Sequence, residues 1–395
     1  MKKSPFAREP AIAAATEIRP GRYPEFDALN MYETALSAFI EQWPLDPALV
    51  DGVLAAPAGM AVAQTPDIFT HETLADSLGI HPTFSETLNA GGATYGLMAQ
   101  RAAWAVSNGL ANAVLCVGAG KFPRVGAGGG EAMARMVSHP DFEFIYGSFI
   151  PALYALSATR HMHERGTTRE QLASVAVSTR QWALLHPDAL TRAQGPITIA
   201  DVINSRPIAE PFHLLDCSIP CEGGAAFLVA RGEIARAITS APAYILGAGE
   251  YHDHGPISSA RDFAAMGARE SARRAFRAAG LKPADVRVAQ IYDAFTINPI
   301  MFIEEIGLAP AGGGGAFFLE GGGAPGGRLP VNTYGGLLSF GHTGDASGMS
   351  MIIEGALQVM GLAGGRQVGD ADVVLVHSYG NMMSEHSTLI LGREP

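Results

Sequence analysis

Cysteine is scarce in this sequence. Its 395 residues include three cysteines, Cys116, Cys217 and Cys221. Three cysteines do not make a disulfide framework for a chain of this length, so a reducing cytoplasm is the expected compartment. Cys217 and Cys221 are close in sequence but have no second Cys/His pair near them, which argues against a zinc site. We therefore expect neither a metal nor a tightly bound cofactor.

Charge and long apolar runs are also scarce. Charged residues make up 16% of the chain and the net charge is −11. This acidic balance argues against nucleic acid as the main partner, although backbone N–H groups and a few basic side chains could still hold an anionic ligand. The apolar run at residues 11–18 is short and contains Glu17. Neither a signal peptide nor a membrane span is expected there.

Glycine and apolar residues, in contrast, are abundant. The chain has 47 glycines and is 48% hydrophobic, which is typical of a compact α/β protein with tight turns. Its length suits two halves. The pattern predicts a strand at Pro10–Thr16, a helix at Met31–Gln42 and a strand at Val50–Ala56. This opening predicts a parallel or mixed sheet with helices on its faces.

The second part of the chain repeats this order. A strand is predicted at Ala243–Gly249, a helix at Arg261–Gly280 and a strand at Val286–Ile291. The repetition indicates an internal duplication, with halves at residues 1–240 and 241–395.

Two segments depart from the repeated pattern. Residues 121–207 begin with a glycine-rich loop and then read as helices, with Thr167 and Glu170 as a predicted capping box. Residues 308–330 are rich in glycine and are predicted to form a mobile loop.

The stretch at residues 331–348, VNTYGGLLSFGHTGDASG, organises the rest of the chain. His342 lies between Gly341 and Thr343, just before an apolar helix that should begin near Ala346. A histidine in this position is aimed by a loop rather than buried by helical periodicity. The pattern alone fits either a reactive histidine or a solvated histidine in a glycine-rich turn.

This stretch resembles the NxxGGxxxxGHPxGxSG signature of the thiolase superfamily, with Thr343 in place of the proline. Residues 155–190 are similar to the loop domain of the sterol-carrier-type branch. The resemblance implies two duplicated βαβαβαββ halves in five αβαβα layers, with an inserted helical loop domain at about 121–207. It also implies that His342 binds the oxygen of a thioester.

The nucleophile of that family is missing. In thiolases a cysteine stands in a tight turn at the entrance of a buried helix. The matching segment here is Thr87–Gly96, TLNAGGATYG, which places that cysteine at Gly92 or, with a one-residue slip, at Gly91. No cysteine precedes Cys116, so a different alignment cannot restore it.

The other family loops are also altered. The second loop has Tyr292 followed by Asp293 and Phe295, and the fourth loop ends at Gly380 without a cysteine. Chemistry through an acyl-cysteine is therefore not available. The resemblance implies that the substrate or coenzyme A lies against Gly91, Asp293, Phe295, Asn332 and Gly380.

The remaining groups suggest another reaction. His342, Tyr292 and Tyr334 resemble the site of thiolase-like aldolases, which split β-hydroxyacyl-CoA thioesters in steroid side-chain degradation. Such a retro-aldol cleavage needs an acid, a base and an oxyanion donor, and phenols and an imidazole can supply them. Two alternatives stay open: a non-catalytic acyl-CoA or lipid-binding protein in which the tyrosines only pack, and an acyltransferase with an unrecognised nucleophile.

The resemblance also implies partners. The substrate would be a coenzyme A thioester. Related aldolases work with a small OB-fold, zinc-ribbon protein, and this chain has no such domain, so a separate partner is expected. A homodimer formed through the sheets of the N-terminal half, or a tetramer, is expected as well.

Overall fold

Strands and helices alternate along most of the chain. The computed structural model describes residues 8–59, 65–122 and 129–395; most of the glycine-rich loop predicted after residue 121 lies outside them. The strands are β1 Ala11–Glu17, β2 Gly52–Ala55, β3 Phe84–Thr87, β4 Ala113–Gly120, β5 Pro207–Ala209, β6 Phe212–His213, β7 Gly223–Ala230, β8 Ala243–His252, β9 Val288–Ile291, β10 Val373–Gly380 and β11 Glu385–Gly392. The helices are α1 Ala28–Gln42, α2 Thr70–Leu78, α3 Thr94–Asn108, α4 Gly129–Val137, α5 Ile150–Arg165, α6 Arg169–Leu185, α7 Ile199–Ile203, α8 Gly232–Ile238, α9 Ala268–Ala279, α10 Ile297–Ile306, α11 Gly314–Leu319 and α12 Ser347–Met360.

The sheet joins the two halves of the chain. Among the described residues, nine strands follow the order β3-β2-β4-β7-β1-β8-β11-β10-β9. The halves meet where β1 pairs with β8 through two residue pairs, Ala11 with Tyr244 and Ile12 with Ala243. β8 begins close to the predicted boundary at residue 240.

The duplication is visible in the order of elements. The first half runs β1-α1-β2-α2-β3-α3-β4-β7. The second half runs β8-α9-β9-α10, then a single bridge between Ala289 and Val331, then α12-β10-β11. The third strand of the second half is thus reduced to one bridge. The expected thiolase fold is confirmed, with this one strand shortened.

The two long buried helices lie between the half-sheets. α3 contacts β4 and β7 on one side and β10 and β11 on the other, while α12 contacts both half-sheets and α3 itself. Residues of α12 are buried all round, as expected for a helix enclosed by sheets. α1, α2 and α8 cover the first half-sheet from outside, and α9 and α10 cover the second. These five layers bring the starts of α3 and α12 into the interior.

The inserted segment is helical, as predicted, but its capping differs. The N-cap of α6 is Thr168, whose hydroxyl accepts a hydrogen bond from the Gln171 N–H. Thr167 was predicted for that role; its hydroxyl instead contacts Nδ1 of His161 at 3.0 Å. His161 is fully buried. Because the N-cap is shifted by one residue, the Thr167 hydroxyl is free to form a hydrogen bond with the buried imidazole of His161.

The prediction of a mobile loop at residues 308–330 is wrong. This segment contains α11, and Phe317 and Phe318 are buried in the core. The many glycines favour turns, so the sequence pattern did not predict this helix. Burial of the apolar area of two aromatic side chains nevertheless stabilises it. None of the described helices is long and apolar enough to cross a bilayer.

Candidate active site

Four loops meet at one edge of the second half-sheet. β9 and β10 are parallel neighbours, so their carboxyl ends lie side by side. Tyr292 follows β9 directly, and Gly380 ends β10. Gly92 lies just before α3, and His342 lies just before α12. The sheet and the two central helices thus bring together residues that are far apart in the sequence.

The ring of Tyr292 fills the space beside Gly92. A Cβ atom added at Gly92 would lie 2.6 Å from ring atoms of Tyr292 and 2.5 Å from the carbonyl oxygen of Tyr379. A Cβ atom at Gly91 would instead face the backbone of Gly380 and Asn381. Of the two alternatives for the missing nucleophile, Gly92 is therefore the position that faces Tyr292. A side chain at residue 92 and the ring of Tyr292 exclude each other.

His342 connects two hydroxyl groups. Its Nε2 lies 3.2 Å from the Tyr292 hydroxyl, and its Nδ1 lies 2.9 Å from the hydroxyl of Ser218. The ring of Phe122 packs against the imidazole edge at a centroid distance of 5.4 Å. Desolvation by the surrounding protein lowers the pKa of His342 to about 4, although the residue as a whole is partly exposed. The imidazole is therefore neutral at physiological pH and reachable by a ligand.

Backbone contacts hold His342 in place. Its N–H donates to the Ile219 carbonyl at 2.8 Å, and its own carbonyl accepts from the Cys221 N–H at 2.9 Å. Gly341 precedes it with φ of 144°, and a Cβ atom there would lie 2.8 Å from the Cys221 sulfur. Only glycine fits this conformation and this space. The Gly-His pair therefore fixes where the imidazole points.

Tyr292 has a second hydroxyl partner behind it. Ser347, the first residue of α12, lies 2.7 Å from the Tyr292 oxygen and donates its own hydrogen to the Gly344 carbonyl at 2.9 Å. A chain of polar groups thus runs from Ser218 through His342, Tyr292 and Ser347 to the carbonyl of Gly344. We call it the hydroxyl–imidazole chain.

Tyr334 does not belong to this chain. It is 2% exposed, its ring packs edge-on against Phe340, and its hydroxyl has no hydrogen-bond partner among the described residues. Burial raises its pKa well above the usual range, and the nearby Asp293 carboxyl adds to the rise. An acid–base role was predicted for Tyr334, but no described group forms a hydrogen bond with its hydroxyl through which a proton could be exchanged.

Two predicted ligand-binding residues support the site from inside. Asp293 accepts hydrogen bonds from the backbone N–H groups of Leu337 and Leu338, in the π-helical turn Gly336–Phe340. Burial raises its pKa to about 8. Asn332 bonds both backbone groups of Ile291, at 2.7 and 2.8 Å. Their polar atoms are thus engaged within the protein.

The other predicted contact residues are Phe295, Gly91 and Gly380, and each packs against neighbouring groups of the protein. Phe295 is buried, and its ring stacks on Phe212 and packs against Tyr154. Gly91 and Gly380 pack backbone against backbone beside Tyr292, and only glycine allows this approach. They therefore shape the wall of the site.

Sequence reasoning missed Ser218, Ser347 and Tyr379. Tyr379 lies next to Tyr292, with ring centroids 4.9 Å apart, and its hydroxyl donates to the Asn298 side chain at 2.9 Å. Ser347 is part of the signature stretch, so its position was a usable signal. Ser218 lies between Cys217 and Cys221 and belongs to no motif. It is 124 residues from His342 in the sequence, so their contact could not be predicted from the sequence.

The cysteines offer no replacement nucleophile. Burial raises the pKa of Cys217 and of Cys221 to about 12 and that of Cys116 well above its usual value. A thiol with such a pKa holds almost no thiolate at neutral pH. Among residues 8–59, 65–122 and 129–395, no cluster of His, Cys, Asp or Glu could hold a metal ion.

An open groove lies on the outer face of α5. Its volume is about 520 Å³, and its lining includes Leu156, Arg160, His163 and Phe263. His163 is exposed, and Arg160 pairs with Glu164 at 2.6 Å. This groove does not include the hydroxyl–imidazole chain.

Comparison with known proteins identifies the family of the chain. A family profile described as thiolase C-terminal domain-like matches residues 249–393. The chain is 35% identical over 374 residues to a steroid side-chain-cleaving aldolase of Thermomonospora curvata, covering 91% of this chain and 92% of that protein. It is 36% identical over 310 residues to an acetyl-CoA acetyltransferase of Methanothermobacter thermautotrophicus, covering 78% of this chain and 79% of that protein.

The structural comparison covers nearly the whole chain. The solved structure of an Ltp2-ChsH2(DUF35) aldolase matches with a TM-score of 0.86 and 31% identity, over 99% of both chains. The chain therefore belongs to the thiolase superfamily, in the branch of the sterol-carrier-type thiolase-like proteins.

Proposed function

We propose that this protein cleaves a carbon–carbon bond of a β-hydroxyacyl-CoA thioester by a retro-aldol reaction that uses no cysteine. The observation that carries this proposal is the position of Tyr292. Its ring fills the space next to Gly92 where the family's nucleophile would project, and its hydroxyl contacts His342. The site thus offers a phenol and an imidazole where the family has a thiol.

The reaction needs no net supply of protons. The bond between Cα and Cβ breaks, its electron pair stays on Cα as a thioester enolate, and Cβ becomes a carbonyl carbon. The Tyr292 oxygen accepts the proton of the β-hydroxyl, and Tyr292 delivers its own phenolic proton to Cα. The products are a ketone or aldehyde and a shortened acyl-CoA, and Tyr292 ends in its starting state.

His342 stabilises the enolate in this scheme. A neutral imidazole can donate its Nε2–H to the enolate oxygen, as an oxyanion donor does. The pKa near 4 keeps His342 neutral during turnover. The N-terminus of α3 faces the same region without a side-chain cap, so its positive dipole end favours the negative charge. Tyr334 has no proton-transfer role in this scheme.

The relatives support the reaction class. The similar protein of T. curvata is a steroid side-chain-cleaving aldolase, and the matched solved structure is also an aldolase. We propose a lipid or steroid-type acyl group on coenzyme A as the substrate. The likeness to an acetyl-CoA acetyltransferase keeps acyl transfer as an alternative, but it would need a nucleophile that the buried thiols do not supply.

One assay separates the three functions. The protein is incubated with a panel of β-hydroxyacyl-CoA thioesters, and the products are separated by mass. Retro-aldol cleavage gives a ketone or aldehyde plus a shortened CoA ester. A binding protein returns the substrate unchanged but retains it on a column. An acyltransferase passes an acyl group from acetyl-CoA to a second CoA ester, and either of these results would overturn the proposal.

We also propose that a separate small OB-fold, zinc-ribbon protein completes the site. Large apolar side chains are exposed along the inserted segment; Phe142 and Tyr146 are 70% and 78% exposed. The others are Met136, Ile145, Phe149 and Leu156. An exposed apolar surface of this kind favours a protein partner. The related solved structure is named as an assembly of two components, which supports a partner here.

The partner proposal has its own test. Phe142→Glu combined with Tyr146→Glu should abolish co-elution with a purified OB-fold zinc-ribbon protein from the same organism, and any rate increase that this protein brings. Leu362→Glu, at a position that is 52% exposed just after α12, is the control. Unchanged co-elution of the double variant would reject this surface as the docking site.

A homodimer stays a proposal as well. β3 pairs with β2 and with no other described strand, so one edge of the sheet is open in the N-terminal half. Ile68, Phe69 and Trp104 are exposed on the same half. Light scattering after size exclusion should give twice the 41.3 kDa mass of the chain. A monomer at all concentrations would reject this interface.

A further inference from the structure

We infer that Ser218 is a positioning residue: its hydroxyl donates to Nδ1 of His342 and thereby fixes the imidazole as the tautomer that carries its hydrogen on Nε2. The contact measures 2.9 Å. The catalytic role of this tautomer rests on the proposed function, but the tautomer itself does not. The hydrogen positions themselves follow from the contacts of the resting protein.

The hydrogens of the hydroxyl–imidazole chain can be placed one by one. Four contacts need four hydrogens: Ser218 to His342, His342 to Tyr292, Tyr292 to Ser347, and Ser347 to the Gly344 carbonyl. Each of the three hydroxyls has one hydrogen, and a neutral imidazole has one. If every group donates toward Gly344, each hydrogen has its own acceptor and all four contacts are hydrogen bonds.

The opposite tautomer leaves the chain incomplete. With the hydrogen on Nδ1, the imidazole donates to Ser218 and accepts from Tyr292. The Ser218 hydrogen then has no acceptor among the described residues, since its hydroxyl makes no other hydrogen bond there. Ser347 can then donate to Tyr292 or to Gly344 but not to both. Losing a hydrogen bond in a half-buried site is unfavourable, so the contacts select the Nε2–H form.

The direction matters for the chemistry. The Gly344 carbonyl can only accept, and it anchors the chain at one end. Ser218 anchors the other end, and its own N–H donates to the Ala294 carbonyl at 2.9 Å, next to the Tyr292 loop. In the resting protein the Nε2–H of His342 therefore donates to the Tyr292 oxygen, so the nitrogen that faces Tyr292 already carries the hydrogen that the proposed enolate contact needs. An oxyanion donor that is already oriented spares the reorganisation that a freely tautomerising imidazole would need.

Nitrogen NMR of histidine-labelled protein without substrate tests this tautomer directly. The chain has 12 histidines, and the His342 signals are those that vanish in His342→Asn. We expect a protonated Nε2 and an unprotonated Nδ1 in the wild type, and a mixture of tautomers in Ser218→Ala. Ser218→Thr, which keeps the hydroxyl, should restore the wild-type pattern. A wild-type spectrum with the hydrogen on Nδ1 would overturn the inference even if every variant failed to fold.

Kinetics add a second readout. Ser218→Ala should lower kcat about tenfold, the equivalent of one ordinary hydrogen bond, with little change in KM. Ser205→Ala is the matched control, because the Ser205 hydroxyl is also half-buried and bonds the backbone of Val202 and Leu215 instead. A protein with the Nε2–H tautomer but no aldol cleavage would reject the proposed function and leave this inference standing. Aldol cleavage by a protein with the Nδ1–H tautomer would support the proposed function and overturn this inference.

Discussion

The entrances of α3 and α12 occupy corresponding places in the two halves of the duplicated fold, yet they carry very different residues. The entrance of α3 holds Gly91 and Gly92, with no reactive side chain. The entrance of α12 holds His342 and Ser347, and both contact Tyr292 from the same half. Because the ring of Tyr292 fills the space at Gly92, a side chain at residue 92 would collide with the ring in its present position.

The backbone frame of the α3 entrance is kept although its reactive side chain is absent. The glycines at the start of α3 still shape a tight turn, and the helix still points its N-terminus at the site. What differs is the side chain beside residue 92, which is the ring of Tyr292.

Restoring a side chain at the α3 entrance should be the most damaging change. In Gly92→Cys, the new Cβ atom would collide with the Tyr292 ring and the Tyr379 carbonyl. We expect the stability to fall by about 1–3 kcal/mol through overpacking. Displacing Tyr292 from His342 and Ser347 should lower cleavage at least about 10³-fold.

Cleavage assays and denaturant unfolding measure these two effects. Gly130→Ala is the control, since a Cβ atom there meets nothing within 4 Å. A Gly92→Cys variant that gained acyl-transfer activity while keeping aldol cleavage would show that the two groups do not exclude each other.

Removing the imidazole at the α12 entrance comes next. His342→Ala should lower kcat by about 10²–10³-fold, the usual cost of losing one oxyanion donor, with little effect on the binding of a CoA ester. Steady-state kinetics and ligand titration separate the two effects. His163→Ala, on the exposed side of α5, should leave both unchanged. Unchanged turnover in His342→Ala would remove the imidazole from the mechanism.

Tyr292→Phe should lose about 10²-fold in rate while folding normally. The substitution keeps the ring that fills the space beside Gly92 and removes the hydroxyl that contacts His342 and Ser347. Circular dichroism and thermal unfolding check the fold, and the product assay checks the rate. Wild-type cleavage by this variant would move the protein to the binding-protein alternative.

Tyr334→Phe should have a much smaller effect, less than about threefold in rate. Its hydroxyl is buried without a described partner, so removing it should leave stability equal or slightly higher. The sequence alone predicted that one of the two tyrosines acts as the acid and the other as the base. A rate loss near 10²-fold in a stable Tyr334→Phe variant would restore Tyr334 as an acid or base.

The acidic limb of the pH profile should be nearly flat. Because burial lowers the pKa of His342 to about 4, the imidazole stays neutral at all pH values above that and is protonated only below it. An unshifted histidine would titrate near pH 6.5. We therefore expect kcat to show no histidine transition between about pH 5 and pH 7. A transition near pH 6.5 that disappears in His342→Asn would contradict the buried, neutral imidazole.

The sequence was sufficient for the frame and for part of the site. The duplicated pattern, the missing cysteine at Gly92 and the signature around His342 are local features that a single chain displays. The resemblance also implied that Tyr292 and His342 share one site, but it did not predict the hydrogen bond between them. Local patterns carry this information because they concern neighbouring residues.

Contacts between distant segments were not predictable in this way. Ser218 lies 124 residues from His342 and meets it only because a backbone bridge sets Pro220 beside His342. Asp293 and Asn332 looked like ligand-binding residues, but tertiary packing commits their polar atoms to the backbone. The tyrosines were equivalent in the sequence, and only the three-dimensional structure left the hydroxyl of Tyr334 without a partner.

The central claim is that cleavage proceeds without a covalent acyl-enzyme. Intact-protein mass spectrometry during turnover of a β-hydroxyacyl-CoA tests it most directly. We predict that the shortened CoA ester accumulates while the mass of the protein stays unchanged, because residue 92 is glycine and the thiols of Cys217 and Cys221 have pKa values near 12. A stoichiometric acyl adduct on any residue, formed and lost at the rate of turnover, would contradict the account.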